Sequence, residues 1–392
     1  MLKRMTALLL SLLLVLPFSV LAESDEPTPT PKPSYDLQED DLEIVDVIEP
    51  AETEDPGDVP DKDGSITITV TCTGDFTIGG DSYHNKGKKF YSELDKHGKD
   101  INFTMRNVKD IFREDDLTLV NFEGTFTPQK GAKGKVPDSK KHNDFLFNID
   151  PGYVNVLTDN YIEAVSLANN HVMDYGTEGY EETKRTLYEA GVQYSTAEDL
   201  GVCTVDGVDI AMLSYLCIDL YDKPVGGFDN LYDKVAHDIQ VTKQQYPIVI
   251  VSFHWGRELD YTPNDRQKRM GRLAVDSGAD LVIGNHSHRI NPIEFYNGSY
   301  ICYSLGNFCF AGNDKPKDMN SILFQTRFKV SKTGDVTNTG FRIIPIRITS
   351  LKDRNDYTPT PVTDPMRIDG IIATMKDNGK DFGVSDYPLE WK

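Results

Sequence analysis

Five short apolar runs of strand length each deliver a metal-competent side chain at or just beyond the carboxyl end of the run. Ser65 to Thr73, where Ile66, Ile68, Val70 and Cys72 alternate with threonines, leads to Asp75. Leu117 to Val120 leads to Glu123, and Ala164 to Ala168 leads to Asn169, Asn170, His171 and Asp174. Pro247 to Phe253 leads to His254, and Leu281 to Ile283 leads to His286 and His288. These runs, with Ile210 to Leu216 and Tyr300 to Leu305, alternate with helix-like segments, the pattern of an α/β layered fold. In α/β sheets the loops at the carboxyl edge converge on one crevice, so such a fold gathers the five stations together.

Taken singly, each station has an ordinary explanation. A Gly-Asp after a strand makes a turn, and Asn-Asn-His suits a loop with side-chain to backbone hydrogen bonds. Together they are harder to dismiss, because four of the eight histidines and two carboxylates follow strands in the same way.

Helices fit between the strands. Asn102 is placed to cap Phe103 to Phe112, and Asp150–Pro151 is a cap with proline at the first helical position. Thr177 to Ala190 stops at Gly191, and Asn264 to Ser277 stops at Gly278. After Ser321, two β-rich runs flank Lys332-Thr333-Gly334-Asp335 as a hairpin, and Asp364–Pro365 opens a short helix to Met375. The expected architecture is a layered β-sheet core flanked by helices, with a small C-terminal hairpin and helix.

The first 64 residues are of another kind. Lys3 and Arg4 precede an uncharged, leucine-rich run from Met5 to Ala22, so residues 1–22 read as an export signal, with a membrane anchor as the alternative. Residues 23–64 hold 16 acidic residues, two lysines and seven prolines, which accounts for −14 of the formal −21. Such a segment has too little apolar surface to bury and is expected to be a disordered acidic linker. Residues 65–350 then form the main domain and 351–392 a C-terminal extension. The protein is expected outside the cell or in the cell envelope. Its five cysteines match no zinc spacing and are expected as buried free thiols. No basic face interleaved with aromatics points to nucleic acid.

Carboxylate, amide and imidazole ligands together suit manganese, iron or zinc, whereas calcium prefers an all-oxygen shell. The ligands are too many for one tetrahedral ion, and two divalent ions bridged by Glu123 fit better.

The motifs T-G-D at 73–75, N-F-E at 121–123, L-A-N-N-H-x-x-D-Y-G at 167–176, H-W-G-R-E at 254–258, G-A-D-L-V-I-G-N-H-S-H at 278–288 and Y-S-L-G-N-F at 303–308 resemble the CapA family of capsule proteins. That family is associated with poly-γ-glutamate capsule synthesis and export, within the calcineurin-like metallophosphoesterase superfamily. The resemblance covers roughly residues 66–312. It implies a metallophosphoesterase-like fold with one ion on Asp75, Glu123 and His288. It implies a second ion on Glu123, Asn170, His254 and His286. It further implies His171 as general acid, Asp174 as its orienting partner and Glu258 as a supporting residue. Asp75-Phe76-Thr77 departs from the superfamily's Asp-X-His, so one imidazole ligand is missing, and the bridge is glutamate instead of aspartate.

Two functions are open: the strand-end ligands suggest a metal-dependent hydrolase or transferase acting on a phosphate ester, and the resemblance suggests a capsule assembly factor that binds the anionic polymer without phosphoester chemistry. A membrane capsule-synthesis complex is the expected partner. Asn307 is a candidate support for the metal edge, and Arg289 a candidate for neutralising an anionic substrate. The Thr125 to Asn143 segment, with Lys130, Lys133, Lys135, Lys140, Lys141 and His142, reads as a solvated loop or a polymer-gathering lid. Trp255 is expected to pack rather than to stack on a ligand.

Overall fold

A computed structural model describes residues 43–44, 63–81, 88–128, 145–218 and 228–391. The export signal, most of the acidic linker and most of the lysine-rich segment lie outside the described residues. No helix among the described residues is long and apolar enough to cross a membrane.

Two large sheets face each other. In the first, Thr360–Pro361, Val336–Arg347, Asn320–Val330, Ile66–Thr77, Leu117–Phe122, Ala164–Ser166 and Gln193–Ser195 lie side by side, and Asn307–Phe310 also pairs with Ile66–Thr77. In the second the order is Glu43–Ile44, Asp199–Val205, Val208–Ile218, Ile248–Gly256, Leu281–Asn285, Ser299–Cys302 and Ile293–Tyr296. The central strands are parallel in both sheets. Glu43–Ile44, within the segment read as a linker, pairs in parallel with Asp199–Leu200.

Period-two patterning explains the layers, because alternate residues face opposite sides of a strand. Ile68, Val70, Cys72, Leu117 and Leu119 meet Ile210, Met212, Ile250 and Ile283 of the other sheet in one core. The alternate residues Ala211, Leu213 and Tyr215, with Val249, Val251 and Phe253, face Tyr232, Val235, Ile239, Met270 and Ala274 of two helices. Phe76, Val120, Phe122 and Val165 pack outward against Phe90, Phe103, Phe112 and Leu187. The result is a helix–sheet–sheet–helix sandwich. All five cysteines are buried free thiols. Trp255 packs against Phe253, 4.7 Å between ring centroids, and donates Nε1–H to Tyr303 O at 2.9 Å.

The helix Asp265–Ser277 has the expected cap, with Asn264 and Gln267 bonding reciprocally. Asp364 caps Pro365–Asn378. The hairpin strands are long and join the first sheet, and the helix after them sends Ile371 and Met375 into the inter-sheet core.

One helix differs from expectation. Residues 101–113 break into a 3-10 turn, Ile101–Thr104, and a short helix, Lys109–Arg113, and the cap is Asp100, not Asn102. Asn102 is engaged elsewhere, giving Nδ2–H to Asp159 and accepting from Asn160. The buried residues Ile101, Phe103, Met105 and Val108 also lack a steady 3.6 spacing.

The amino-terminal edge of the first sheet carries a carboxylate group of its own. Glu163 accepts the Thr118 N–H at 2.8 Å, and burial, reinforced by Asp116, pushes its carboxyl up to about 7. Its stabilising contribution is therefore complete below the ordinary carboxylate range and lost as pH rises through about 7. Glu163→Gln keeps an acceptor for Thr118 and cannot ionise. In thermal melts it is expected to gain on the order of 1–2 kcal/mol over the native chain at pH 8 and nothing at pH 4. A gain of the same size at both values contradicts this.

Candidate metal centre

The five stations come from both sheets. Asp75 lies at the carboxyl end of Ile66–Thr77, Glu123 just after Leu117–Phe122, and Asn169 to Asp174 in the turns after Ala164–Ser166. His254 is in Ile248–Gly256, while His286 and His288 follow Leu281–Asn285 in the opposite sheet. The site thus lies where the carboxyl edges of two stacked sheets meet. Gly74 makes the approach of the next motif possible, because a Cβ there would fall 1.9 Å from Gly306 O. With no side chain at Gly74, Asp75 N–H reaches Gly306 O at 2.9 Å.

Two candidate ligand groups share one carboxylate. Glu123, His254 and His286 offer atoms within 4.8 Å of one another, and so do Asp75, Glu123 and His288. Glu123 Oε1 lies 3.7 Å from His254 Nε2 and 3.9 Å from His171 Nε2. Glu123 Oε1, His254 Nε2 and His286 Nδ1 are all buried and make no hydrogen bond. Buried polar atoms normally find partners, so three orphans converging on one point fit a divalent cation. The backbone around them is strained, with φ of 93° at His286 and 53° at His288, a conformation that the surrounding structure must enforce.

The electrostatics separate the two groups. Burial holds His254 well below the usual imidazole range, and the His286 charge adds to the effect. Burial likewise lowers His286 to about 3. Burial opposes charge on His288 too, but Glu123 and Asp75 outweigh it and lift the ring to about 10. Glu123 rises to about 7 through burial and the neighbouring Asp75. His254 and His286 are therefore neutral and ready to ligate at pH 7, while His288 carries a proton that a cation must displace.

Hydrogen bonds hold the ligands in place. His288 Nδ1 lies 2.9 Å from Asp75 Oδ2 and 2.9 Å from Asn307 Oδ1, so Asn307 touches a ligand histidine. Thr77, where an imidazole is missing, donates Oγ1–H to Glu123 Oε2 at 3.2 Å. It steers the shared carboxylate instead of binding a cation itself.

Asn121 was not singled out from the sequence. It donates Nδ2–H to Asp75 Oδ1 at 2.9 Å, and its Nδ2 lies 3.3 Å from His254 Nδ1, linking ligands of both sheets. Asn169 gives Nδ2–H to Phe122 O at 2.8 Å and accepts the His171 N–H at 3.0 Å, which fixes the Asn-Asn-His turn. The available signal was that Asn121, in the strand Leu117–Phe122, precedes Glu123 by two, the spacing at which extended residues share a face.

His171 stands apart from the ligand groups. Its Nδ1 is 2.7 Å from Asp174 Oδ2, and Asp174 also accepts the Phe147 N–H at 2.9 Å. A proton on Nδ1 is thereby held by the carboxylate, leaving Nε2 to face the site. Asn170 is half-buried in the same turn, between Asn169 and His171. Glu258 is exposed on the loop after His254, and only its charge reaches His288. Arg289 is buried. It donates Nη1–H to His288 O at 2.6 Å, lies 5.7 Å from the Tyr261 ring and has no carboxylate partner among the described residues.

Comparison with known proteins agrees with this arrangement of motifs. The family model "Bacterial capsule synthesis protein PGA_cap" matches residues 69–312. The chain is 33% identical over 317 residues to the PGA biosynthesis protein CapA of Bacillus subtilis (strain 168), a match covering 76% of this chain and 78% of that one. It is 26% identical over 332 residues to the capsule biosynthesis protein CapA of Bacillus anthracis, covering 80% and 74%. A solved structure of a hypothetical protein from Thermus thermophilus is more remote, at 15% identity and a TM-score of 0.43, covering 71% of this chain and 98% of that one. With the family model spanning most of the sandwich and the Bacillus subtilis relative spanning three quarters of the chain, this protein belongs to the PGA_cap family of bacterial capsule synthesis proteins.

Proposed function

We propose that the protein is an exported envelope hydrolase of poly-γ-glutamate capsule synthesis, which binds two divalent ions and cleaves a phosphate ester. The observation that carries this reading is the shared Glu123 carboxylate, bordered by two ligand groups and three buried, unpaired ligand atoms. Asp75, Glu123 and His288 would hold one ion, and Glu123, His254 and His286, with Asn170, the other. Manganese, iron or zinc suits this donor set. Such ions supply charge stabilisation at the phosphoryl oxygens and activate water at neutral pH.

The chain's own residues do the rest. Asn121 and Thr77 orient the carboxylates, and the two sheets bury the ligands away from bulk water. His171, held at Nδ1 by Asp174, carries a proton at Nε2 and delivers it to the leaving oxygen as the P–O bond breaks. Capsule synthesis enters from the names of the relatives, both of them capsule or PGA biosynthesis proteins.

The test is direct. Protein loaded with manganese, zinc or iron is expected to retain about two equivalents after gel filtration and to hydrolyse bis(p-nitrophenyl) phosphate. Metal-loaded, folded protein that turns over no phosphate ester overturns the hydrolase. Tight binding of poly-γ-glutamate by that same sample would then favour a non-catalytic assembly factor.

A further inference from the structure

At the amino-terminal end of the central strands, away from the metal centre, lies a cleft of about 300 Å³ bordered by Phe295, Tyr300, Phe341 and Trp391, with Thr339 and Ser385. Its place follows from strand register. Phe341 pairs with Thr326, which pairs with Val70, and Tyr300 pairs with Leu281. Val70 and Leu281 stand near the start of runs that end at Asp75 and His286. At roughly 3.3 Å per residue, the cleft and the metal centre are separated by about 16 Å along the strands.

The cleft forms where the C-terminal segment crosses from one sheet to the other. Phe295 N–H bonds Phe382 O at 3.0 Å in the second sheet, and Ile343 N–H bonds Pro388 O at 2.8 Å in the first. One wall is a bulge. Arg327 pairs with Gly340 and Phe328 with Asn338, so Thr339 is the extra residue. Asn338 fixes the bulge, accepting the Gly340 N–H at 3.1 Å and donating Nδ2–H to Thr326 Oγ1 at 2.9 Å. A Cβ at Gly340 would meet nothing within 4 Å, so the space continues over bare main chain. Trp391 is held by two guanidiniums, Arg327 at 3.9 Å and Arg342 at 5.1 Å from the ring centroid.

The groups present narrow the occupant. Phe295 is 46% exposed and lies 4.9 Å from Tyr300, which lies 4.7 Å from Phe341, a corner of tilted rings that receives C–H groups. Thr339 gives its hydroxyl proton to Arg327 O at 3.2 Å, so towards a ligand it acts as an acceptor and needs a donor. Asp386, which also borders the cleft and accepts from Lys376 at 3.3 Å, is an acceptor-only group as well. A proline-rich segment, a common guest of aromatic grooves, brings carbonyls but no N–H from its prolines. The guanidiniums already over Trp391 disfavour a quaternary ammonium. A sugar meets both demands, offering a C–H face to the rings and hydroxyls that donate. The volume is at the lower end of the roughly 300–1,000 Å³ of small-molecule pockets, which suits a terminal sugar better than a long stretch of polymer.

We propose that this cleft is a carbohydrate-binding site, separate from the metal centre, that seats a terminal uncharged sugar of a glycan. It does not rest on the hydrolase reading above.

Saturation-transfer NMR on the metal-free full chain tests it, with glucose, galactose and N-acetylglucosamine as probes and tetraproline, choline and glutamate as comparators. Transfer to at least one of the sugars is expected. Two substitutions at exposed positions then locate it: Phe295→Ala removes the ring, and Ser385→Trp fills the cleft. Each is expected to lower sugar transfer about fivefold or more while leaving the melting temperature unchanged. Transfer to none of the sugars, stronger transfer to a comparator than to any sugar, or native-level transfer in Ser385→Trp overturns the proposal. Loss of transfer in a folded Ser385→Trp or Phe295→Ala upholds it, whether or not the protein turns over a phosphate ester.

Discussion

Glu123→Ala is expected to strip the centre of all tightly bound metal and to lower phosphate-ester turnover by at least about a thousandfold, because both ligand groups lose their common member. His254→Ala, by contrast, removes a ligand from one group only and is expected to retain one equivalent. The electrostatics add an order of loading. His254 and His286 are already neutral at pH 7, whereas His288, lifted to about 10, must give up a proton to the incoming ion. Below pH 10 the affinity of the Asp75–Glu123–His288 group therefore rises about tenfold per pH unit, with a further contribution from Glu123 below about 7. Equilibrium dialysis with metal analysis is expected to find near one equivalent at pH 6 and near two at pH 8.5. Metal-dependent rise in melting temperature should follow the same course and vanish in Glu123→Ala. Two equivalents at both pH values, or metal retained by Glu123→Ala, would falsify the shared-carboxylate arrangement.

The second large effect concerns His171. Because its Nδ1 is held by Asp174 and it belongs to neither ligand group, His171→Ala should keep the metal and lose the proton donor. A fall in kcat of about 10²–10⁴-fold is expected for esters with alkyl leaving groups, the usual range for general acid catalysis. For p-nitrophenyl esters, whose leaving group departs without a proton, the loss should be far smaller. Asp174→Asn should give a milder version of the same pattern. Asp174→Ala is the poorer test, because Asp174 also anchors the Phe147 backbone. Equal losses for both leaving-group classes would assign His171 to metal or substrate binding instead.

Much of this was legible from local patterning. The strand runs, the caps at Asn264 and Asp364 and the hairpin around Gly334 are set by residues within a few positions of one another, so they can be read without knowing the fold. The ligand types were equally legible, because carboxylate, imidazole and amide at strand ends advertise their chemistry. Residues 101–113 were misread because Asn102 offers a cap-like side chain that tertiary partners, Asp159 and Asn160, claim instead. Arg289 was read as a candidate for neutralising an anionic substrate, yet the structure buries it with its guanidinium over the Tyr261 ring.

By itself, then, the sequence determined that this chain is a layered α/β protein with metal-competent side chains at the carboxyl ends of its strands, since both properties are periodic or compositional and so local. Only the tertiary structure decided that these ends belong to two stacked sheets, and that Asn121 and Thr77 orient the ligands. Period-two alternation says which face of a strand is buried, but not which sheet the strand joins. The joining contacts are far apart along the chain. The His286 N–H reaches Asp75 across a separation of 211 residues, and Asn121 lies against His254 across 133. Packing of the inter-sheet core brings those groups together, and no local pattern encodes that closure.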